Sequence, residues 1–171
     1  SYNIKEILRD LFKSEYFRNE KIINNRIKSP SELVVNAVRL SGGFDIPSEE
    51  VYQATISSGL MGQPLLNPTS VEGWQGGEEW INTGSVVQRI NFAADLLGNS
   101  NKKLIKKIML KNLTKKNLLE ICLEELGYIN LHSATIVALE DHINDKDFLV
   151  NEETISIIIK LIVSSREFQM T

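Results

Sequence analysis

The sequence predicts an all-α fold, an irregular bundle of about seven helices carrying one long loop rich in glycine and tryptophan. Three observations predict it. Apolar residues recur at i, i+3, i+4 and i+7 along most of the chain. Helix start signals precede these runs and glycines close several of them. Between Gly59 and Gly84 the periodicity stops altogether.

Taken in order, Ile4, Ile7, Leu8 and Leu11, with Phe12 beside them, make residues 3–17 an amphipathic helix. Ser29-Pro30-Ser31-Glu32 is a capping box with proline at the first helical position. Its helix runs to about Ser41 and stops at Gly42-Gly43. After the first turn only Asn36 and Arg39 are strongly polar, so this helix is expected at the centre of the fold. Pro47-Ser48-Glu49-Glu50 opens the next helix, acidic where the dipole favours it, and that helix reaches about Ser58. Thr83 is expected to cap a helix ending at Leu97 before Gly98. Val86, Ile90, Ala93, Ala94 and Leu97 share one face while Phe92 and Leu96 point elsewhere, which implies packing on more than one side. Residues 101–112 and 114–126 read as two further helices, the second capped by Thr114 and ended by Gly127. Ser133 is expected to cap a helix ending near Asn144. Asn151 with Glu152 and Glu153 opens the last helix, to about Ser164. The β-branched run after Ile155 also fits a strand, but the cap and the lack of any other convincing strand favour a helix.

Composition narrows the function classes. The chain has 171 residues, and at roughly 150 residues per domain it reads as a single domain, residues 1–171. With 42% hydrophobic and 24% charged residues it falls in ordinary globular usage, away from disordered or collagen-like chains. No apolar run is long enough to span a bilayer, so no membrane insertion is expected. A lone cysteine, Cys122, excludes a disulfide framework and a multi-cysteine metal site. The chain opens at Ser1 without a leader and enters a helix almost at once, as expected for the carboxy-terminal part of a longer chain.

The net charge of −3 hides segregation. Residues 1–30 carry 7 positive and 4 negative charges, residues 31–100 carry 2 and 8, and residues 101–120 carry 7 lysines against Glu120. Lys102, Lys103, Lys106, Lys107 and Lys111 form the polar side of a helix whose other side is Leu104, Ile105, Ile108 and Leu110. Nucleic-acid binding calls for such a stripe with arginine or aromatic contacts and a basic chain, so no nucleic-acid partner is expected. Membrane-surface docking needs a free apolar face. A solvated face, or one leaning on the acidic segments, is the reading here.

The stretch from Gly59 to Gly84 holds six of the ten glycines, two of the four prolines and both tryptophans. An irregular connection of this size inside a compact fold is usually functional. Gly73-Trp74-Gln75-Gly76-Gly77 implies turns with positive φ that bring two large rings to one place.

Here a resemblance enters. Gly62-Gln63-Pro64-Leu65, then Gly73-Trp74-x-Gly76-Gly77-x-x-Trp80-Ile81-Asn82-Thr83, then Arg89-x-Asn91-Phe92-Ala93, resembles the bacterial family called domain of unknown function 1800. Ser14-Glu15-Tyr16-Phe17, Lys28-Ser29-Pro30-x-Glu32-Leu33-Val34-Val35 and the terminal Ser165-Arg166-Glu167-Phe168-Gln169 are similar to its other stretches, while residues 99–160 carry no matching motif. The family usually shows proline where Gln75 stands and a proline pair where Pro68-Thr69 stands; both departures should loosen the loop. The resemblance implies a longer parent with an amino-terminal half, a member family that often carries export signals, and no established reaction.

The candidate ligand-binding set is Gln63, Asn67, Glu72, Trp74, Glu78, Trp80, Asn82 and Arg89. Trp74 and Trp80 can stack on a sugar ring or another flat ligand while Asn67, Glu72 and Asn82 bind hydroxyls. The plainer alternative has both rings plugging the core, each indole N–H finding a backbone acceptor. Glu72 with Glu78 or Glu79 fits a general acid and base only if one is desolvated. Arg89 is read as holding the loop through Glu72 or backbone carbonyls, ahead of binding an acidic ligand. Ser29 and Thr83 are caps, not nucleophiles, since no histidine lies near either. His132 and His142 do not have metal-ligand spacing, Cys122 reads as a small core residue, and no metal or cofactor is expected. The expected function is a binding or scaffold region of an exported protein, using the loop for a glycan or a protein partner. The alternatives are part of an enzyme completed by the amino-terminal half, and a loop that only closes the fold against that half.

Overall fold

Nine α-helices and no strands make up the described residues of the computed structural model, which are 3–19, 22, 25–43, 49–99 and 103–171. The all-α class therefore holds, with more helices than the seven or so expected. The helices are α1 (Ile4–Lys13), α2 (Pro30–Leu40), α3 (Glu49–Leu60), α4 (Thr83–Leu97), α5 (Lys103–Met109), α6 (Leu118–Glu125), α7 (Ser133–Ile143), α8 (Glu152–Ser164) and α9 (Arg166–Gln169). The single turn α9 is too short for periodicity to reveal. Pro47, Ser48 and Lys102, assigned above to a helix start and a lysine stripe, lie outside the described residues.

The centre is the packing of α4 on α8, with α2 and α3 on other sides of α4 and α5, α6 and α9 around α8. Ile155, Ile158, Ile159, Ile162 and Val163 of α8 are all buried completely, each such side chain contributing about 1.5–3 kcal/mol by leaving water. The central position expected for α2 goes to α8 instead. α2 buries Leu33, Val34 and Ala37 but leaves Val35 exposed. The end of α4 comes close to α8: a Cβ on Gly98 would lie 2.8 Å from the Ala94 carbonyl oxygen and would collide with Lys160. The Ser156 hydroxyl donates to the Gly98 carbonyl at this contact.

Capping follows the sequence in two places and shifts by a residue or more in three. The Ser29 hydroxyl accepts the Glu32 N–H at 3.2 Å while the Glu32 carboxylate accepts the Ser29 N–H at 2.7 Å. Asn151 and Thr154 form the same reciprocal pair on α8. Asn82, not Thr83, caps α4, its Oδ1 accepting the Ser85 N–H at 3.0 Å. His132, not Ser133, caps α7, and Asn117, not Thr114, stands at the start of α6. The lysine stripe leans on acids of the same fold: Lys107 pairs with Glu125 at 2.5 Å, and Lys111 with Glu124 and Glu125 at 2.8 and 2.7 Å.

The segment before α2 meets the segment after α8. Ile27 and Met170 form an antiparallel bridge. Arg26 and Thr171 exchange backbone hydrogen bonds at 3.1 and 2.7 Å, and the Lys28 N–H donates to the Gln169 carbonyl at 2.9 Å.

Arg26 grips Glu32 with two charge-assisted bonds of 2.9 and 2.7 Å, and that grip holds the Glu32 carboxyl down to about 2. A depressed carboxyl adds stability above its ordinary value that is lost as pH falls through the folded value. The chain should therefore lose stability between about 4.5 and about 2 in part through Glu32. Urea midpoints across that range should show a shallower acid slope in Glu32→Gln than in the parent.

Candidate functional site

The segment after α3 is irregular over residues 61–76 and then turns into a short 3-10 helix, Gly77–Ile81, before α4. Its root is fixed. The Gln63 side-chain carbonyl accepts the Ser31 N–H at 2.9 Å and the Ser31 hydroxyl at 2.8 Å, supplying a partner for a free N–H in the first turn of α2. The Ser58 hydroxyl donates to the Gln63 carbonyl at 3.0 Å. Gly73, at φ 102°, then turns the chain where an L side chain would be strained.

The two tryptophans part company. Trp74 donates its indole N–H to the Pro64 carbonyl at 2.9 Å, and its ring stays 38% exposed. Trp80 is half-buried, and its Nε1 is buried without a hydrogen-bond partner among the described residues. The Ser85 hydroxyl holds the Trp80 carbonyl at 2.7 Å. Trp80 lines a cleft of about 430 Å³ between the end of α3 and the start of α4, together with Thr69, Gln75, Glu79, Asn82 and Gln88.

The candidate residues do not form one constellation. Trp80 and Asn82 share the cleft, but Asn82 is committed to capping α4 and its amide donates to the Glu79 carbonyl at 3.3 Å. Gln63 is committed to Ser31. Asn67 and Glu72 are exposed on the loop near Trp74 in sequence, and Glu78 lines a different depression with Arg26 and Arg166. Glu72, Glu78 and Glu79 are all exposed, so none has the desolvated setting that a general acid beside an aromatic ring needs.

Arg89 faces away from the loop. It is 0% exposed. Its Nε donates to the Gln169 side-chain carbonyl at 2.9 Å and its Nη2 to the Lys28 carbonyl at 2.8 Å, with Nη1 unpartnered among the described residues. The backbone carbonyl it holds is that of Lys28, and neither Glu72 nor a loop carbonyl is among its partners in the described residues. Burial lowers its pKa. Burial, and then the Arg89 charge, push Lys28 down to about 8. Lys28 donates to the Phe168 carbonyl at 2.7 Å and stands 4.9 Å over the Phe168 ring.

Sequence reading missed Ser31, Ser58, Ser85 and Gln169. Each is an ordinary polar residue whose partner is remote or irregularly placed, and only the short Ser29-Pro30-Ser31 signal hinted at one of them. Among the described residues no group of three or more histidine, cysteine or acidic side chains can hold a metal ion. His132 uses Nδ1 to accept the Ala134 N–H, and His142 lies edge-on to Phe148 at 5.7 Å. Cys122 is buried, and burial pushes its thiol up to about 12, so it is an unreactive core residue.

The geometry defines an all-α protein in which a buried arginine of α4 joins the segment before α2 to the segment after α8. The profile of the family described as Protein of unknown function (DUF1800) matches residues 1–170, and the chain belongs to that family. No curated protein and no solved structure matches the chain.

The buried joint makes stability depend on alkaline pH with a definite sign. Folded Lys28 gives up its proton near 8 while the unfolded chain keeps it to about 10.5, so the unfolded state binds more protons in between and stability rises with pH. Cys122 opposes this from its ordinary value of 9.0 upward. Urea midpoints should rise from about 8 to about 9 and then flatten, and Lys28→Met should remove the rise.

Proposed function

We propose that the chain is a non-catalytic binding module whose tryptophan loop, residues 61–76, docks an apolar segment of a protein partner. One observation carries this reading: Trp74 is locked by its indole hydrogen bond to Pro64 and yet presents its ring to solvent. A rigid exposed indole loses little conformational freedom when covered, which is how a preorganised anchor gains affinity. Its surroundings support a protein partner. Leu65, Leu66 and Val71 are exposed on the same loop, Leu66 by 97% and at φ 62°, a conformation that a branched-tip side chain adopts only when the loop holds it. A run of exposed apolar residues with acidic residues at its margin resembles the core and rim of an interface.

A glycan reading fits less well. Sugar binding by an indole face needs hydroxyl-binding side chains around the ring, and Gln63 and Asn82 are already committed within the fold. Asn67 and Glu72 remain. An enzymatic role completed by a further part of the chain has no desolvated carboxylate on this loop to build on.

A random-peptide display library panned against the chain tests the proposal, with tryptophan emission titrated in parallel by an oligosaccharide series. Selected peptides carrying apolar anchors should lose at least about tenfold in affinity against Trp74→Leu and against Leu66→Asp, the latter change leaving the fold intact at so exposed a position. Oligosaccharides should leave the emission unchanged. Peptides indifferent to both substitutions, or a saturable oligosaccharide response lost in Trp74→Leu, would overturn the assignment.

A further inference from the structure

The loop that carries Trp74 contains two turns, and one carbonyl ties them together. In the first turn, residues 64–67, the Pro64 carbonyl accepts the Asn67 N–H at 3.3 Å, and the same oxygen accepts the Trp74 indole N–H at 2.9 Å. In the second, residues 70–73, the Gly73 N–H donates to the Ser70 carbonyl at 3.1 Å and the Glu72 N–H donates to the Ser70 hydroxyl at 3.2 Å. The two central residues of each turn are exposed, Leu65 and Leu66 on the first, Val71 and Glu72 on the second. Three aliphatic side chains, one carboxylate and a part-exposed indole therefore stand on a backbone that is already tied.

The charge around this platform has one sign. Residues 61–88 include three acidic residues and no lysine or arginine, and Arg89 after them is completely buried. Glu78 shares its depression with Arg26 and Arg166. Glu72 and Glu79 differ: neither is in an ion pair among the described residues. Glu79 lines the Trp80 cleft, where no described lysine or arginine stands. Thr69 and Gln75, which bracket the second turn and Trp74 in sequence, line that cleft with Glu79, so the platform and the cleft adjoin. A carboxylate beside an indole attracts a cation twice, through its own charge and through the electron-rich ring.

Resting on the reading of the loop as a docking site for an apolar protein segment, we propose that the segment it takes carries a lysine or arginine among its apolar residues. The apolar side chains cover Leu65, Leu66 and Val71, while the cation is met by Glu72 and the Trp74 ring, with Glu79 at the adjoining cleft. The same carboxylates oppose an acidic segment of equal hydrophobicity, so they select as well as attract.

Two peptide display libraries panned against the 171-residue chain test this. They share randomised apolar positions, and the positions between are fixed as lysine in one library and as glutamate in the other. Binders should come from the lysine library alone, and their affinity, read by fluorescence anisotropy, should fall as salt rises. It should fall at least about tenfold in Glu72→Lys with Glu79→Lys, and as far in Trp74→Leu. Glu152→Lys with Glu153→Lys makes the same change of net charge on exposed residues of α8, and screening should hold its effect within about twofold. Circular dichroism confirms that each variant is folded. Binders from the glutamate library that need Trp74 and ignore the loop charge reversal overturn the cation and leave the docking reading standing. Equal losses in the two charge reversals overturn it too, since the field of the whole chain would then account for binding. Binders indifferent to Trp74→Leu, or none from either library, overturn both readings.

Discussion

Arg89 is completely buried, and its charge dictates what can surround it. A buried cation costs several kcal/mol of desolvation on the order-of-magnitude scale of such groups, and that cost is repaid only where acceptors are held in place. Its two identified acceptors are neutral oxygens, the Gln169 side chain and the Lys28 backbone, and they belong to segments far apart in sequence. Gln169 is itself held by its amide N–H on the Val163 carbonyl of α8. One guanidinium on the central helix therefore joins the start of α2 to α9. Its Nη1 has no partner among the described residues, so the joint is a device for placement more than for stability. Lys28, Arg89, Phe168 and Gln169 all fall in stretches that carry the family resemblance. Their meeting accounts physically for residue types that are far apart in sequence.

From that joint the order propagates outward and weakens. Ser29 opens α2 directly after Lys28, and Ser31 on its first turn receives Gln63, which roots the loop. Pro64 then receives Trp74, ten residues on. Each link is a neutral hydrogen bond worth about 0.5–1.5 kcal/mol net, so the loop is positioned without being buried. Beyond Trp74 the chain is tied again at Trp80 by Ser85. Between the ties Leu65, Leu66 and Val71 stay exposed, which costs solvation in the isolated chain.

The helices were largely legible because burial acts along a single periodic face, and periodicity survives in sequence. α1 is shorter than the 3–17 expected because Ser14 turns back onto the Leu11 carbonyl. The cap shifts have a common cause. Asn82 and Thr83, or His132 and Ser133, are adjacent residues that can each accept an N–H, and the backbone conformation at the junction decides between them. The site was less legible. Gln63 and Asn82 read as ligand-binding amides, but the first turns of α2 and α4 leave N–H groups to be satisfied, and both amide oxygens are spent on them. The acceptors that Arg89 finds, 80 and 61 residues away, leave no local pattern in the sequence.

Charge segregation along the chain resolves in two different ways. The lysines of α5 and the turn after it are neutralised within the copy by Glu124 and Glu125. On α1 the charges stay mixed around the polar face, Lys5, Arg9 and Lys13 alongside Glu6 and Asp10, and the three basic residues make no ion pair among the described residues. Surface charges contribute little to stability when paired in water, so their separation does not weaken the fold.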